Sequence, residues 1–383
     1  MGGLLVADFS RALAGPYATM FLGDLGATVI KVERPGGGDE SRGWGPPFSN
    51  GVSTYYQSIN RSKRAVVCDL STDAGRAAAL ELCLRADVVV ENFRAGTLER
   101  MGLGVDELMR RNPRLVHCTI TGFGDGAGKD MPGYDFLLQA VGGLMSVTGE
   151  PDGDPLRVGV AIVDVVTGLH ALAGILAALR QRELTGRGAH VKVDLLSSLL
   201  SALVNQVSGY LNAGVVPQRM GNRHPSLVPY ELVPAKDRPI ALAIGNDAQF
   251  AAFCEEAGVA ALARDARFTT NAARVQHRDE LLGRLDGPLR SATAAEWVRR
   301  LTARGVPCGV VNRVDEAVEL ATRLGLEPIV EMTDASDRTW RQVRNPISLS
   351  GAGPAYASPP LPFDELPTLE ALLSELGPNA HIK

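Results

Sequence analysis

The chain has 383 residues, of which 45% are hydrophobic, and a formal net charge of -4. That length and apolar content support two hydrophobic cores, and the acidic balance excludes the broad cationic footprint that nucleic acid or an anionic membrane demands. The five cysteines, Cys68, Cys83, Cys118, Cys254 and Cys308, stand singly without a C-x-x-C, which suits buried free thiols in a reducing compartment.

The N-terminus runs straight into a strand-like Leu4 to Asp8, without a basic leader or cleavage site, and no apolar run is expected to reach membrane-spanning length; a cytoplasmic protein follows. Up to about residue 200, β-branched runs alternate with helical stretches, the pattern of a parallel sheet flanked by helices. Leu4 to Asp8, Ala27 to Val32, Ala65 to Leu70, Asp87 to Glu91, Leu115 to Thr121 and Ala189 to Val193 read as strands. Gly15-Pro16 marks a helix start and Gly26 its stop, which closes a first βαβ unit. Helices are expected at Thr72 to Arg85, Val105 to Arg111 and Val165 to Glu183, the last rich in Leu, Ala and Ile and basic at its end. From about residue 225 the texture changes. Val228 to Val233 and Ile240 to Ile244 read as an antiparallel hairpin, followed by helices near Ala248 to Ala257, Arg274 to Leu285 and Ala294 to Arg304. The expected fold is therefore α/β: a doubly wound, parallel-sheet large domain plus a smaller α+β domain. A proline-rich extended stretch and a short helix at Leu369 to Glu375 end the chain.

Several chemistries drop out. The first βα turn, Ser10 to Pro16, lacks G-x-G-x-x-G, and Glu33 after the second strand reads as a solvated strand end. Gly122 to Asp130 is a glycine-rich mobile loop that misses a phosphate loop at Phe123 and Asp130. The six histidines, His117, His170, His190, His224, His277 and His381, have no metal-ligand spacing, and there is no G-x-S-x-G elbow. What remains is Asp164, an acid set among apolar and small residues from Val158 to Gly168. It fits the N-cap of a buried helix, and it equally fits a functional carboxylate. Both readings are compatible, because a carboxylate at a helix N-terminus stays ionised yet poorly hydrated, as a nucleophile should.

The series Asp8-Phe9-Ser10, Ala14-Gly15-Pro16, Leu22 to Ala27, Val29 to Arg34, Gly38-Asp39, Arg42-Gly43-Trp44, Lys63-Arg64, Asp87 to Phe93 and Thr185-Gly186-Arg187-Gly188 resembles the class III CoA transferases. That family includes formyl-CoA transferase, carnitine CoA-transferase and the α-methylacyl-CoA racemases. The resemblance spans almost the whole chain and implies a CoA transferase that uses acyl-CoA and a small carboxylic acid as substrates and needs no metal. It implies that Asp164 is the nucleophile, forming first an aspartyl anhydride and then an aspartyl-CoA thioester. Coenzyme A contacts would fall on Leu13, Ala14, Arg34, Cys68, Asp69, Leu70, Ser71, Asn92, Phe93, Arg94, Arg100, Met101, Pro132, Gly133, Tyr134 and Asp135. An interlocked homodimer is implied as well, with 1–200 and 325–383 as the large domain, 220–320 as the small one and 201–219 as a linker. No nucleic-acid or membrane partner is expected.

Departures from the family pattern narrow the substrate. Tyr134 stands where the racemases place a histidine, and a racemase needs two bases about the α-carbon, so transfer is favoured over the alternative, a 2-methylacyl-CoA racemase or epimerase. A CoA-binding regulator without catalysis is the other alternative, and the presence of Asp164 argues against it. Leu13 replaces a glutamine of formyl-CoA transferase, which speaks against oxalate. Gly221 to Ser226 leading into Val228-Pro229-Tyr230 is similar to the subgroup containing succinate-hydroxymethylglutarate CoA-transferase. Succinyl-CoA is then a candidate donor, and Arg11, Arg223 and His224 could clamp the distal carboxylate of a dicarboxylic acid. A structural loop role competes for Arg223. The family ending after the proline pair is replaced by Pro362-Phe363-Asp364-Glu365.

Overall fold

The computed structural model describes residues 1–351 and 353–376. Residues 352 and 377–383, the latter including His381 and closing the expected large-domain segment 325–383, lie outside the described residues. The chain divides into two compact units, one of residues 1–144, 157–216 and 327–383 and one of residues 145–156 and 217–326.

The first unit is built on β1 (Leu5–Asp8), β2 (Thr28–Glu33), β3 (Lys63–Val67), β4 (Val88–Glu91), β5 (Val116–Thr121) and β6 (His190–Asp194). All pair in parallel, in the order β3-β2-β1-β4-β5-β6. Strand order reverses between β1 and β4, which is where doubly wound sheets open a crevice at their carboxyl ends. Its helices of seven residues or more are α1 (Ala14–Asp24), α2 (Asp73–Arg85), α3 (Val105–Arg111), α4 (Asp135–Val141), α5 (Ile162–Thr185), α6 (Leu195–Ala202), α7 (Val204–Ala213) and α8 (Leu369–Leu376). Segment 201–219 is thus partly helical.

Side-chain alternation along the strands supplies both faces of the sheet. Val6, Val29, Val88, Val90, Val116, Cys118 and Ile120 share one core with residues of α1 and α5. Leu5, Ala7, Ile30, Val32, Val66 and Val89 share the other with residues of α2, α3 and α8. The C-terminal segment ties itself to β3, where Val67 N donates to Pro367 O at 2.8 Å and Val67 pairs with Thr368.

Helix α5 departs from expectation twice. It begins three residues earlier than the sequence suggests, which puts Asp164 inside its first turn. It is also long and apolar enough, by length and composition, to cross a membrane, contrary to the expectation that no run reaches that length. A core helix requires the same composition, and Val163, Ala171, Leu172, Ile175, Ala178 and Leu179 are buried in the sheet core. Glu33 also departs: it is buried, with Arg42 Nε at 2.6 Å and the Tyr56 hydroxyl donating at 2.6 Å, because the segment after β2 folds back over the strand end.

The second unit has a three-stranded antiparallel sheet of β7 (Tyr230–Val233), β8 (Ile240–Ala243) and β9 (Cys308–Val310), in the order β9-β8-β7. Its core gathers Phe250, Phe253, Phe268, Leu281, Leu285, Trp297 and Leu301. The single helix expected over Arg274 to Leu285 is two, Asn271–Gln276 and Arg278–Leu289, broken at His277.

Candidate active site

Two loops meet at the crevice, one after β1 and one after β4. Asp8, buried at the end of β1, shapes the first: it accepts from Ser10 N at 3.0 Å, Thr19 Oγ1 at 2.6 Å and Lys63 Nζ at 3.1 Å. Burial alone would raise the Asp8 carboxyl, but the flanking Lys63 and Lys31 ammonium groups outweigh it and hold it below the usual range. Lys31 Nζ also donates to Ser10 O and to Asp39, each at 2.9 Å, and Asp39, although buried, is drawn down to about 2. The turn is tight enough that a Cβ on Gly15 would lie 2.3 Å from Ser10 Cβ. Ala12 takes φ 65°, a left-handed conformation that a non-glycine residue holds only when its surroundings enforce it. The enforcing contact comes from the second loop. Asn92 accepts from Arg11 N at 2.9 Å and donates to Arg11 O at 2.8 Å, so one side-chain amide locks both loops together.

Helix α5 brings Asp164 to this junction. Its amide caps are not made by Asp164 at all. Asp135, at the start of α4, accepts from Val163 N at 2.8 Å and from Asp164 N at 3.3 Å. Gln139, one turn along α4, donates to Asp135 Oδ2 at 2.6 Å and accepts from Val158 N at 2.8 Å. The capping function that the sequence allowed for Asp164 therefore falls to Asp135, which leaves the Asp164 carboxyl free for other work. Its ionisation also differs from the expectation of a dipole-stabilised anion. Burial first, and the nearby Asp135 charge second, push Asp164 up to about 7.

Close helix packing completes the placement. A Cβ on Gly168 would stand 2.6 Å from the Ala14 carbonyl oxygen, so α5 touches the start of α1 only because residue 168 has no side chain. One turn before Gly168, Asp164 faces the Arg11 to Ala14 turn. The resulting cavity, about 180 Å³, is lined by Asp164 with Arg11, Leu13, Ala14, Asn92, Phe93, Arg94, Pro132, Gly133 and Tyr134. A neighbouring cavity of about 190 Å³ is lined by Arg34, Cys68, Asp69, Leu70, Ser71 and Met101. Arg11 and Phe93 line both, with the Arg11 guanidinium 5.1 Å from the ring centroid.

Some expected residues lie elsewhere. Arg100 lines neither cavity and donates to Thr97 Oγ1 at 3.2 Å. Asp135 points its carboxylate at the start of α5. In the second unit, Arg223 lies 3.3 Å from Asp279 and 3.6 Å from Glu231, and His224 accepts from Ser226 N at 3.0 Å while its ring packs on Tyr230. Those contacts give Arg223 and His224 structural partners of their own.

Other residues join the site without a sequence signal. Glu40 and Lys129 line the cavity that holds Asp164. Tyr55, packed edge-on against Trp44 with centroids 4.9 Å apart, is pushed up to about 12 by burial and then by the charges of Asp164, Asp135 and Asp39. Its hydroxyl therefore stays neutral and feels the charge of both carboxyls. Only the fold brings it there, so no local pattern could have singled it out.

The geometry is that of a half-buried carboxyl at the mouth of a two-part crevice, able to attack an electrophilic carbonyl. The sequence profile of CoA-transferase family III matches residues 1–364. The chain is 41% identical to a succinate–glutarate CoA-transferase of Agrobacterium fabrum, over 94% of this chain and 92% of that one. It is 40% identical to a succinyl-CoA:glutarate CoA-transferase of Mus musculus, over 86% of this chain and 76% of that one. Its structure is similar to that of a CAIB/BAIF family protein from Brucella suis, with TM-score 0.84, 38% identity and coverage of 98% and 99% of the two chains.

Proposed function

This chain belongs to CoA-transferase family III, and from that membership we propose that it moves coenzyme A between small dicarboxylic acids through covalent intermediates on Asp164. The transferase class itself follows from the family and from relatives at about 40% identity over most of the chain. The observation that carries the mechanism is a carboxyl raised to about 7, freed from capping by Asp135, in the cavity that joins the two loops.

The Asp164 carboxylate attacks the thioester carbonyl of the donor, the C–S bond breaks, and a mixed anhydride forms as the CoA thiolate leaves. The thiolate attacks the aspartyl carbonyl of that anhydride, which releases the donor acid and leaves an Asp164–CoA thioester. An acceptor carboxylate attacks that thioester, and the thiolate then takes the acceptor acyl group from the new anhydride, which regenerates Asp164. One activated carbonyl is conserved throughout, so no energy is lost to hydrolysis provided water is kept out. Poor hydration raises the nucleophilicity of the ionised Asp164.

Coenzyme A fits the two cavities in series: its thiol end beside Asp164, its nucleotide end beside Arg34 and the Cys68 to Ser71 segment. Relatives named for succinate and glutarate support succinyl-CoA as donor and glutarate as acceptor, both of them dicarboxylic. The active assembly is a homodimer in this reading, supported by the apolar surface that the first unit leaves uncovered.

Incubating the protein with succinyl-CoA and trapping with hydroxylamine tests the covalent route. The expected product is a hydroxamate on the Asp164 peptide by mass spectrometry, absent in Asp164→Ala. An Asp164→Ala variant with undiminished transfer would falsify the assignment.

A further inference from the structure

The catalytic cavity carries more positive charge than the chemistry at Asp164 uses. Its ionisable lining is Arg11, Glu40, Arg94, Lys129, Tyr134 and Asp164. Arg11 already faces Glu40 at 3.4 Å and lies over Phe93. Arg94 is shared with an adjoining cavity whose wall holds Glu91, Glu99 and Asp106. Lys129 lines the Asp164 cavity as an exposed residue, and among the described residues neither it nor Arg94 has an ion pair. Its neighbour Asp130 does not line the cavity.

The loop that carries Lys129 is a built scaffold. Its ends are pinned where Gly122 and Gly133 touch, since a Cβ on Gly133 would lie 2.5 Å from Gly122 Cα. Inside, Lys129 N donates to Gly126 O at 3.1 Å and Met131 N donates to Gly128 O at 2.9 Å. Gly128 packs so tightly that a Cβ there would be 2.6 Å from Phe123 Cβ. One of the two acids on the same loop, Asp125, is held by Lys192 on β6 at 2.6 Å. The loop thus closes on itself, ties Asp125 to the sheet edge, and sets Lys129 in the wall of the Asp164 cavity without an ion-pair partner.

We propose that Lys129 holds the distal carboxylate of the dicarboxylic substrates and so sets the preference of the enzyme for dicarboxylates over monocarboxylates of equal length. This inference rests on the reading of Asp164 as acyl carrier. While one end of a dicarboxylate reacts at Asp164, the other remains ionised, and leaving it unpaired in a half-buried cavity is costly. A lysine on a closed loop meets that charge without a fixed fork geometry, so it selects charge while tolerating succinate and glutarate alike.

Two isosteric pairs read the effect in the full-length protein: succinyl-CoA against butyryl-CoA as donors, and glutarate against pentanoate as acceptors. Lys129→Ala is expected to lower kcat/KM for the dicarboxylic member of each pair by about tenfold to a hundredfold, the worth of one charge-assisted contact, while the monocarboxylic member is unchanged. Lys129→Arg is expected to keep the preference for dicarboxylates. An unchanged preference in Lys129→Ala, or an equal loss on both members, overturns the proposal. If wild type and Lys129→Ala both form the Asp164 adduct from succinyl-CoA at one rate, this inference alone fails. If the wild type forms no adduct from any of these donors, the acyl-carrier reading fails and takes this inference with it.

Discussion

At the scale of single residues, Asp135 and Asp164 divide two tasks that one aspartate could have shared. Asp135 satisfies the first amides of α5, and Asp164 pays no capping debt but carries an ionisation raised to about 7 by burial and by its neighbour's charge. In the proposed mechanism only the ionised carboxyl attacks, so the sign of the pH effect is fixed. The kcat/KM for donor should rise with pH through about 7, reporting the free enzyme. Asp135→Asn keeps an acceptor for the amides of Val163 and Asp164 but removes the charge, so the acid limb should move to lower pH in that variant. A limb that stays in place would assign it to another group; Glu91, which burial also lifts to about 7, is the first candidate. The two roles were not separable in the sequence. Asp164 stood out because its neighbours are apolar, whereas nothing local distinguishes Asp135, whose partner amides lie 28 and 29 residues further on.

At the scale of elements, the contact between α5 and α1 positions the chemistry. Gly168→Ala would gain helix propensity of about 1 kcal/mol, but its methyl would meet the Ala14 carbonyl, a backbone atom that cannot move aside without shifting the Arg11 to Ala14 turn. Overpacking of this kind costs about 1–3 kcal/mol, so the clash wins, and both the Tm and kcat/KM should fall. Gly174, in the same helix, is the natural comparison. Its added methyl would meet only the Val191 side chain, at 2.7 Å, which can change rotamer. Gly174→Ala should therefore be milder in Tm and leave kcat/KM nearer to wild type. The reverse order would mean that the α5–α1 approach does not place Asp164. Sequence periodicity located α5 to within three residues at its start, yet those three residues decide whether Asp164 caps the helix or projects from it.

At the scale of the molecule, the first unit exposes large apolar side chains on four successive helices. Phe136 and Val141 on α4, Leu169 and Leu176 on α5, Leu200 on α6, and Val204, Tyr210 and Leu211 on α7 are all exposed. Exposed apolar side chains on four successive helices suit the homodimer proposed above, with a second copy of the chain as their cover. Light scattering at micromolar concentration should give twice the 40.6 kDa chain mass. Tyr210→Glu with Leu211→Glu should shift it toward monomer. A wild-type monomer under those conditions would remove the homodimer from the proposal.

The sequence by itself determined the alternating strand and helix pattern, the family resemblance, and the isolation of Asp164, because each is written in local composition and ordered motifs. Through that resemblance it also named Arg11, Leu13, Ala14, Arg34, Cys68 to Ser71, Asn92 to Arg94, Met101 and Pro132 to Tyr134, which line the two cavities. The tertiary structure decided the rest. Glu33 became a buried ion-pair partner once the chain folded over the end of β2. Tyr55, Glu40 and Lys129 entered the site from segments far apart in the chain. Arg223 was already held by two carboxylates of its own unit. Ionisation and pairing depend on which charges come within a few ångströms and how much water remains between them, and both are properties of the packed chain rather than of any stretch of it.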